Sequence, residues 1–262
     1  NKKIEFDGKI KKEQENHRIA FEGKTKNDLV SYEEAYKNRL KLDWKNEDIA
    51  VPSFIGLKHI MDYPLDEIRK YIDWTFFFSA WEIRGSFPKI LNDPIRGEVA
   101  KELFENANLL LDEIIEKKLL QANVAYGFWP ANSKKDNIIL YKNEERTDEL
   151  VKFNMLRQQK IKKGITLSLS DFIAPKNSGV EDYIGGFAVT TGINAKELSE
   201  EYEKENDDYN SIMTKTIADR LAEALAELIH QRVRKEWGFP DIKNITNQDL
   251  IKEKYRGIRP AF

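Results

Sequence analysis

Two acidic residues stand where a carboxylate could bind a positively charged group. Asp73 lies between a predicted helix and an aromatic run that begins at Trp74. Its carboxylate could bind a cation beside the rings or cap a turn, and the pattern favours capping. Glu223 is two residues past Leu221 and two before Leu225. At about 100° per residue it points away from the apolar stripe of its helix, which favours a solvated helix face.

One arginine near the end of the sequence could recognise an anion. Arg259 lies in the segment Gly-Ile-Arg-Pro-Ala, where Pro260 restricts its backbone to extended geometry. A guanidinium held in this way can grip a carboxylate through a forked pair of hydrogen bonds. From the residues alone, a binding role and a surface role for Arg259 are equal alternatives.

Other kinds of chemistry find little support in the sequence. The absence of cysteine excludes disulfides, thiolate metal sites and cysteine nucleophiles. The three histidines lack metal-ligand spacing, and no Gly-x-Ser-x-Gly elbow is present. We therefore expect neither a catalytic residue nor a metal ligand. His230 lies beside the apolar stripe of a long predicted helix, and we expect it to be structural.

The glycine-rich stretch at 184–192 does not have the spacing of a dinucleotide-binding loop, which is Gly-x-Gly-x-x-Gly. Glycine inside a strand instead indicates a bulge or the close approach of another backbone. We therefore favour a structural role over dinucleotide binding for this stretch.

The composition is that of a globular protein. The 262 residues include 43 basic and 45 acidic side chains, for a net charge of -2, and 40% are hydrophobic. The near-neutral charge argues against a general nucleic-acid binder. No apolar run approaches the ~20 residues of a membrane span, and no secretory signal is recognisable. The lack of cysteine fits a reducing compartment, and we expect a cytoplasmic location. The first residue, Asn1, and the last, Phe262, suggest a fragment of a longer protein.

The elements that must position these residues are a mixture of helices and strands. Ser31 with Glu34 forms a capping box that predicts a helix start, and Pro64 suits the first turn of a helix ending near Asp73. Residues 1–30 are weakly patterned and predict an extended linker. Because helices and strands do not alternate as βαβ units, we expect an α+β fold with a mostly antiparallel sheet. Further helices are predicted over 95–119, 149–160, 194–235 and 247–255, and strands over 124–129, 138–141, 165–169 and 184–190, with a turn at 130–133.

Six strings, in this order and spacing, resemble the C-terminal activation domain of cobalamin-dependent methionine synthase. The resemblance covers about residues 40–262, and six strings in register are highly specific. The strings are YIDWTFFFSAWE (71–82), VAYGFWPAN (124–132), DFIAPK (171–176), DYIGGFAVT (182–190), DRLAEA (219–224) and YRGIRPA (255–261).

The resemblance implies a fold and a function that composition could not. The family's fold is a bent antiparallel sheet surrounded by helices. Its domain binds S-adenosylmethionine, which remethylates oxidised cobalamin once an electron donor, commonly a flavodoxin, has reduced the cobalt. The cofactors carry the difficult chemistry, so no protein nucleophile is needed. The implied partners are the cobalamin-binding domain of the same polypeptide, which holds most of the cobalamin, and a flavodoxin-type electron donor, with neither a nucleic acid nor a membrane.

The resemblance also places four residues at the ligand site. Asp73, Glu223 and Arg259 match positions that bind S-adenosylmethionine, and Ala261 matches a backbone contact. By charge, Arg259 would take the ligand carboxylate, and Asp73 and Glu223 would face its ammonium, sulfonium or ribose groups. This resemblance reverses the preference that the pattern alone gives for Asp73 and Glu223.

The expected organisation is a linker over residues 1–35, from an upstream cobalamin-binding domain, followed by the activation domain over 36–262. The family motif continues to a Gly-Tyr pair where this chain stops at Phe262, so we expect the domain to be incomplete at its C-terminus. We expect a piece of a methyltransferase that is inactive alone. The alternative is a docking domain for a corrinoid protein or an electron donor that does not bind S-adenosylmethionine.

Overall fold

The computed structural model describes residues 2–24, 29–160, 164–239, 241, 246, 249–250, 252–257 and 259. Over these residues, seven α-helices accompany an open antiparallel sheet of five strands, which confirms the predicted α+β class. The sheet order is β1-β2-β3-β4, and β5 also pairs with β2. The helices are α1 Lys2–Lys24, α2 Tyr32–Lys37, α3 Leu65–Ile68, α4 Trp74–Ala80, α5 Gly97–Glu116, α6 Ala195–Lys204 and α7 Asp208–Glu236; the strands are β1 Gly56–Ile60, β2 Gln121–Lys134, β3 Asn137–Tyr141, β4 Glu149–Asn154 and β5 Asp182–Ile193.

The chain divides into two compact units. The first unit contains Asn1–Ile49 and Pro130–Tyr183, and the second contains Ala50–Trp129 and Ile184–Phe262. Each unit is therefore built from two separate stretches of sequence. Asp73, Glu223 and Arg259, which the sequence places at the ligand site, belong to the second unit.

A buried ion network stabilises the first unit. The Arg157 guanidinium lies 2.7 Å from Asp136 and 2.6 Å from Asp171, with all three side chains almost fully buried. Burial alone would lower the pKa of Arg157, but hydrogen bonds to the two carboxylates raise it above its ordinary value. Removing one partner would leave a buried charge uncompensated, so the network fixes the segments that it joins.

The core of the second unit forms around α5 and α7. Leu103, Leu110 and Ile114 are buried on α5, as the predicted helix over 95–119 requires. In contrast, Val99, four residues before Leu103 and thus at the same helical spacing, is exposed. Strand β1 pairs with the first half of β2. The buried side of α7 runs nearly its full length and includes Met213, Ile217, Leu221, Leu225, Leu228 and Val233.

The first residues are helical rather than extended, so the predicted extended linker conformation is wrong. Helix α1 covers Lys2–Lys24, and its described side chains are mostly exposed. It contains six Lys and four Glu residues, which favour helix without an apolar face, and Arg18 pairs with Glu15 one turn earlier. This helix is polar on nearly all sides and has no apolar stripe, so hydrophobic spacing could not indicate it.

The predicted turn at 130–133 is also wrong, because β2 continues through it to Lys134. The pairing of β2 with β1 ends at Phe128, and its pairing with β3 begins at Ala131. Pro130 lies between these two ladders, where its missing N–H breaks no hydrogen bond of either one. A proline therefore marks a change of partner instead of a turn.

The segment predicted as a polar helix over 149–160 forms strand β4 instead. It pairs antiparallel with β3, from Asn154 opposite Asn137 to Val151 opposite Leu140. Leu150, Val151 and Phe153 suit a strand, and pairing with a neighbour overrides helix propensity here. The strand predicted over 165–169 is limited to isolated bridges that lead into a 3₁₀ turn at Leu169–Phe172.

The remaining predictions agree with the structure where it describes them. Ser31 caps α2 by accepting a hydrogen bond from the Glu34 N–H at 3.2 Å. The predicted strand over 184–190 is β5. The helical region over 194–235 consists of α6 and α7, although Asn194 has a left-handed backbone and makes no side-chain cap. The predicted helix over 247–255 falls largely outside the described residues.

Candidate functional site

Helix α7 presents two glutamates on one face. Glu223 and Glu227 are four residues apart and flank the buried stripe of the helix. Glu223 is exposed, which confirms the direction expected from its spacing, and among the described residues its carboxylate has no ion-pair partner. It is therefore free to meet a cation.

Arg259 joins this face through Glu227 rather than Glu223. Its guanidinium donates to Glu227 Oε1 in a half-buried ion pair, with side-chain exposures of 25% and 18%. The second oxygen, Glu227 Oε2, is buried and has no hydrogen-bond partner within the part of the chain that the structure describes. Glu227 was not predicted from the sequence, although its spacing of four residues from Glu223 is a usable signal.

Asp73 caps α4, as the residue pattern alone predicts. Its carboxylate accepts a hydrogen bond from the Thr75 N–H at 2.9 Å. The predicted helix before it is interrupted, because α3 passes into a 3₁₀ turn over Arg69–Tyr71. The Asp73 carboxylate makes no direct hydrogen bond to Glu223 or Arg259 in the described structure.

The segment that carries Asp73 nevertheless packs along the same part of α7. On one side of Asp73, the Tyr71 hydroxyl donates to Gln231 Oε1 at 2.8 Å. On the other side, the Arg220 guanidinium lies 5.8 Å from the centre of the Phe76 ring. Glu223 and Glu227 lie between Arg220 and Gln231 on the helix. The fold therefore brings Asp73, the two glutamates and Arg259 to one stretch of α7.

His230 is a neutral, buried neighbour of this stretch. Arg234 Nη1 lies 2.7 Å from His230 Nδ1, and because arginine only donates, Nδ1 must be the acceptor. Burial, and then the charges of Arg234 and Arg259, lower the pKa of His230 from 6.5 to about 3, against the opposite effect of Asp241. The structural role expected for His230 agrees with this environment.

Aromatic contacts hold the segment that leads to Arg259. The Tyr255 ring meets His230 edge to face at 4.7 Å between ring centres. The Arg234 guanidinium also lies 4.3 Å from the centre of the Tyr255 ring. Arg234 is itself held by Asp241 at 2.7 Å. These side-chain contacts fix the last described residues on α7. Ala261 lies outside the described residues.

The described arrangement brings groups of opposite charge together. Acidic groups and one arginine lie close along a helix, and no group of three potential ligands to a metal occurs in the described ranges. None of the described helices is both long and apolar enough to cross a bilayer. Such opposite charges side by side suit this stretch to hold and orient a charged ligand.

The glycine-rich strand has a packing role in the same unit. A side chain at Gly185 would meet Trp237 at 3.1 Å and Phe128 at 3.2 Å. The close neighbours of this glycine are thus aromatic rings rather than the backbone that the sequence suggested. The Trp237 indole N–H donates to the Ala50 carbonyl at 3.1 Å, which fixes the ring over the strand.

Comparison with known proteins identifies a matching family and related solved structures. A family described as "Vitamin B12 dependent methionine synthase, activation domain" matches residues 64–262. A solved structure described as "Crystal Structure of the MetH Reactivation Domain bound to AdoHcy" is 43% identical, with a TM-score of 0.86. That match covers 89% of this chain and 72% of the other. This chain therefore belongs to the family of vitamin B12-dependent methionine synthase activation domains.

Proposed function

We propose that this chain is the S-adenosylmethionine-binding module that reactivates a cobalamin-dependent methionine synthase. The observation that carries the proposal is the convergence of Arg259, Glu223 and Glu227 on one face of α7, within the segment matched by the family. The related reactivation domain was solved with AdoHcy, which is S-adenosylmethionine without its methyl group. That similarity supports the same class of ligand for this chain.

The charged groups of the site fit the amino-acid end of this ligand. Arg259 uses Nη2 for Glu227, which leaves its other N–H groups to donate to a carboxylate. Glu227 Oε2 is a buried acceptor without a donor, and a ligand ammonium beside Arg259 would satisfy it. A zwitterion would thus bind with each of its charges opposite a complementary group.

We assign the other two acidic groups to the remainder of the ligand. The exposed Glu223 carboxylate lies one turn from Glu227 and can face the sulfonium or ribose. Asp73 keeps one carboxylate oxygen on the Thr75 N–H, and its second oxygen can accept a ligand hydroxyl. We also propose the Ala261 backbone as a contact, on the basis of the family resemblance alone.

The protein's contribution to the reaction would be positioning. The sulfonium supplies a transferable methyl group and reduced cobalamin supplies the nucleophile, so the residues of this chain need not move a proton. Arg259, Glu223 and Asp73 would instead fix the ligand in one orientation, and fixing geometry in this way lowers a barrier without general acid or base chemistry.

We propose that this module works within a larger methyltransferase in the cytoplasm. The cobalamin would be held mainly by another domain of the same polypeptide, and a flavodoxin-type protein would supply the electron. On this proposal the chain alone binds S-adenosylmethionine but does not make methionine.

Calorimetric titration of three related ligands tests the proposal. S-adenosylmethionine and AdoHcy should both bind, whereas 5′-methylthioadenosine, which lacks the amino-acid end, should bind at least about tenfold more weakly because it cannot use Arg259 and Glu227. Equal affinity for all three would contradict the assigned carboxylate and ammonium contacts. No binding by a folded chain would favour the docking domain without this ligand.

A further inference from the structure

A second concave site lies in the first unit, apart from the residues assigned above. It is a cavity of about 650 Å³ between the 36–44 segment, the tip of the β2–β3 hairpin and the 170–177 segment. Five of its lining residues are cationic and one is acidic: Arg39, Lys41, Lys134, Lys135, Lys176 and Asp171. Because like charges repel, five cations around one cavity raise the electrostatic energy of the protein unless an anion binds there.

The described residues do not neutralise the positive charge of this cavity. The one acidic lining residue, Asp171, already binds Arg157 at 2.6 Å and accepts from the Ser168 N–H at 3.0 Å. None of the five cations forms an ion pair with a described residue. Arg39 and Lys176 instead contact aromatic rings, at 4.4 Å from the Tyr36 centre and 5.5 Å from the Tyr141 centre. An anion entering the cavity would meet charges that are available for binding.

The cavity also has an apolar side with one available aromatic ring. Leu40, Leu42, Ile173 and Pro175 contribute to the lining. Trp44, which also lines it, is partly exposed and stacks on no other ring of the described structure. Such a ring offers a flat surface against which a planar group can stack. The cavity therefore combines a cationic rim with a place for a ring.

We propose that this cavity binds a small phosphorylated compound that carries a planar ring, such as a nucleoside diphosphate. Several lysines act as point charges that suit a multiply charged phosphate, and Arg39 adds a fork of donors. The volume lies within the range of small-ligand sites. A single carboxylate would leave most of the five cations without a partner, which favours the phosphate compound.

Binding of ADP tests the proposal, with Trp44 as an optical reporter. ADP should bind and change the tryptophan fluorescence, and Trp44→Phe should remove that change. The double variant Lys134→Gln/Lys135→Gln should bind at least about tenfold more weakly, because it loses two charge-assisted contacts. The double variant Lys142→Gln/Lys152→Gln loses the same charge outside the cavity lining and should bind like the wild type.

Further ligands separate this site from the S-adenosylmethionine site. Arg259→Ala should leave ADP binding unchanged, and inorganic pyrophosphate should bind while adenosine should not. Loss of ADP binding in Arg259→Ala, equal ADP affinity in both double variants, or no ADP binding by the folded wild type would overturn the proposal. Binding of a poly-glutamate peptide without binding of ADP would also overturn it, in favour of an acidic protein partner.

Discussion

Among single residues, the half-buried pair of Glu227 and Arg259 is the main support for the proposed ligand site. Glu227 holds the guanidinium with one oxygen, and its other oxygen is buried without a donor. A buried acceptor that lacks a donor costs free energy, which a suitable ligand can recover. The pair therefore places a positive fork and a free acceptor side by side before any ligand arrives.

We predict that Glu227→Gln weakens S-adenosylmethionine binding by about tenfold, because the amide loses the charge opposite the ligand ammonium and releases Arg259. Calorimetric titration measures this effect. Glu197→Gln, which removes an exposed carboxylate on α6, is the matched control and should bind like the wild type. Unchanged affinity in Glu227→Gln would remove this residue from the site.

The neutral His230 predicts a particular dependence of stability on pH. Its pKa is about 3 in the folded state and 6.5 when unperturbed, so between these values the unfolded chain binds more protons than the folded one. Stability should therefore rise with pH across this window, with a contribution approaching about 1.4 kcal/mol per pH unit. Arg234, Arg259, Asp241 and Tyr255 are the charged or titratable groups around the ring.

The substitution His230→Asn isolates this contribution. Asparagine can still accept a hydrogen bond from Arg234 but does not titrate, so the variant should show a flatter rise of unfolding free energy between pH about 3 and 6.5. Urea unfolding at a series of pH values gives both curves. Parallel curves for the two proteins would show that His230 is not neutral and buried in the folded state.

At the scale of elements, the start of α4 combines a structural role with a proposed binding role. The Asp73 carboxylate caps the helix through the Thr75 N–H, and the preceding turn is anchored to α7 through Tyr71 and Gln231. Replacing such a side chain with alanine would lower both the stability of the chain and its affinity for the ligand. The two roles can be separated because capping needs only one oxygen, whereas binding the ligand hydroxyl uses the second carboxylate oxygen, which serine lacks.

We predict that Asp73→Ala lowers the unfolding free energy by about 1 kcal/mol and also weakens S-adenosylmethionine binding. Asp73→Ser should keep the cap, and with it nearly wild-type stability, but bind as weakly as Asp73→Ala. Thermal unfolding and calorimetry on both variants measure the two effects. If Asp73→Ser binds like the wild type, the residue is only a cap.

The pairing of β1 with β2 depends on a glycine. A Cβ atom at Gly127 would overlap the Gly56 carbonyl oxygen and approach the Trp129 ring at 2.9 Å. We predict that Gly127→Ala destabilises the chain by more than about 2 kcal/mol, because backbone atoms must shift. Gly186→Ala, whose Cβ would be at an ordinary 3.6 Å from Trp129, should have a much smaller effect in the same denaturant titration.

Elements marked by local signals could be predicted from the sequence, and those decided by distant partners could not. The side chain of Ser31 caps α2 within four residues, and the apolar spacing of α5 and α7 is visible along the chain. Strand β4, in contrast, exists because β3 lies beside it, and Pro130 fits β2 only because the strand changes partners there. Strand β4 is exposed along its whole length, so it lacks the alternation of apolar and polar residues that indicates a strand.

At the scale of the whole molecule, the proposed site is assembled from distant parts of the second unit. Asp73, Glu223 and Arg259 come from three separate segments, and only folding brings those segments to α7. The spacing within α7 could have identified Glu227, but no pattern in the residues joins Arg259 to it. The residues alone left a binding role and a surface role for Arg259 as equal alternatives, and the family resemblance favoured binding. The ion pair with Glu227 became visible only in the structure.

Calorimetric titration of S-adenosylmethionine into the wild-type chain and into Arg259→Ala tests whether Arg259 binds the ligand. We predict saturable binding by the wild type and at least about tenfold weaker binding by the variant, because the ligand carboxylate loses its forked partner. Arg18→Ala, which removes an exposed arginine of α1 outside both proposed sites, is the control and should bind like the wild type. Equal affinity in wild type and Arg259→Ala, with both proteins folded by circular dichroism, would contradict the assigned site.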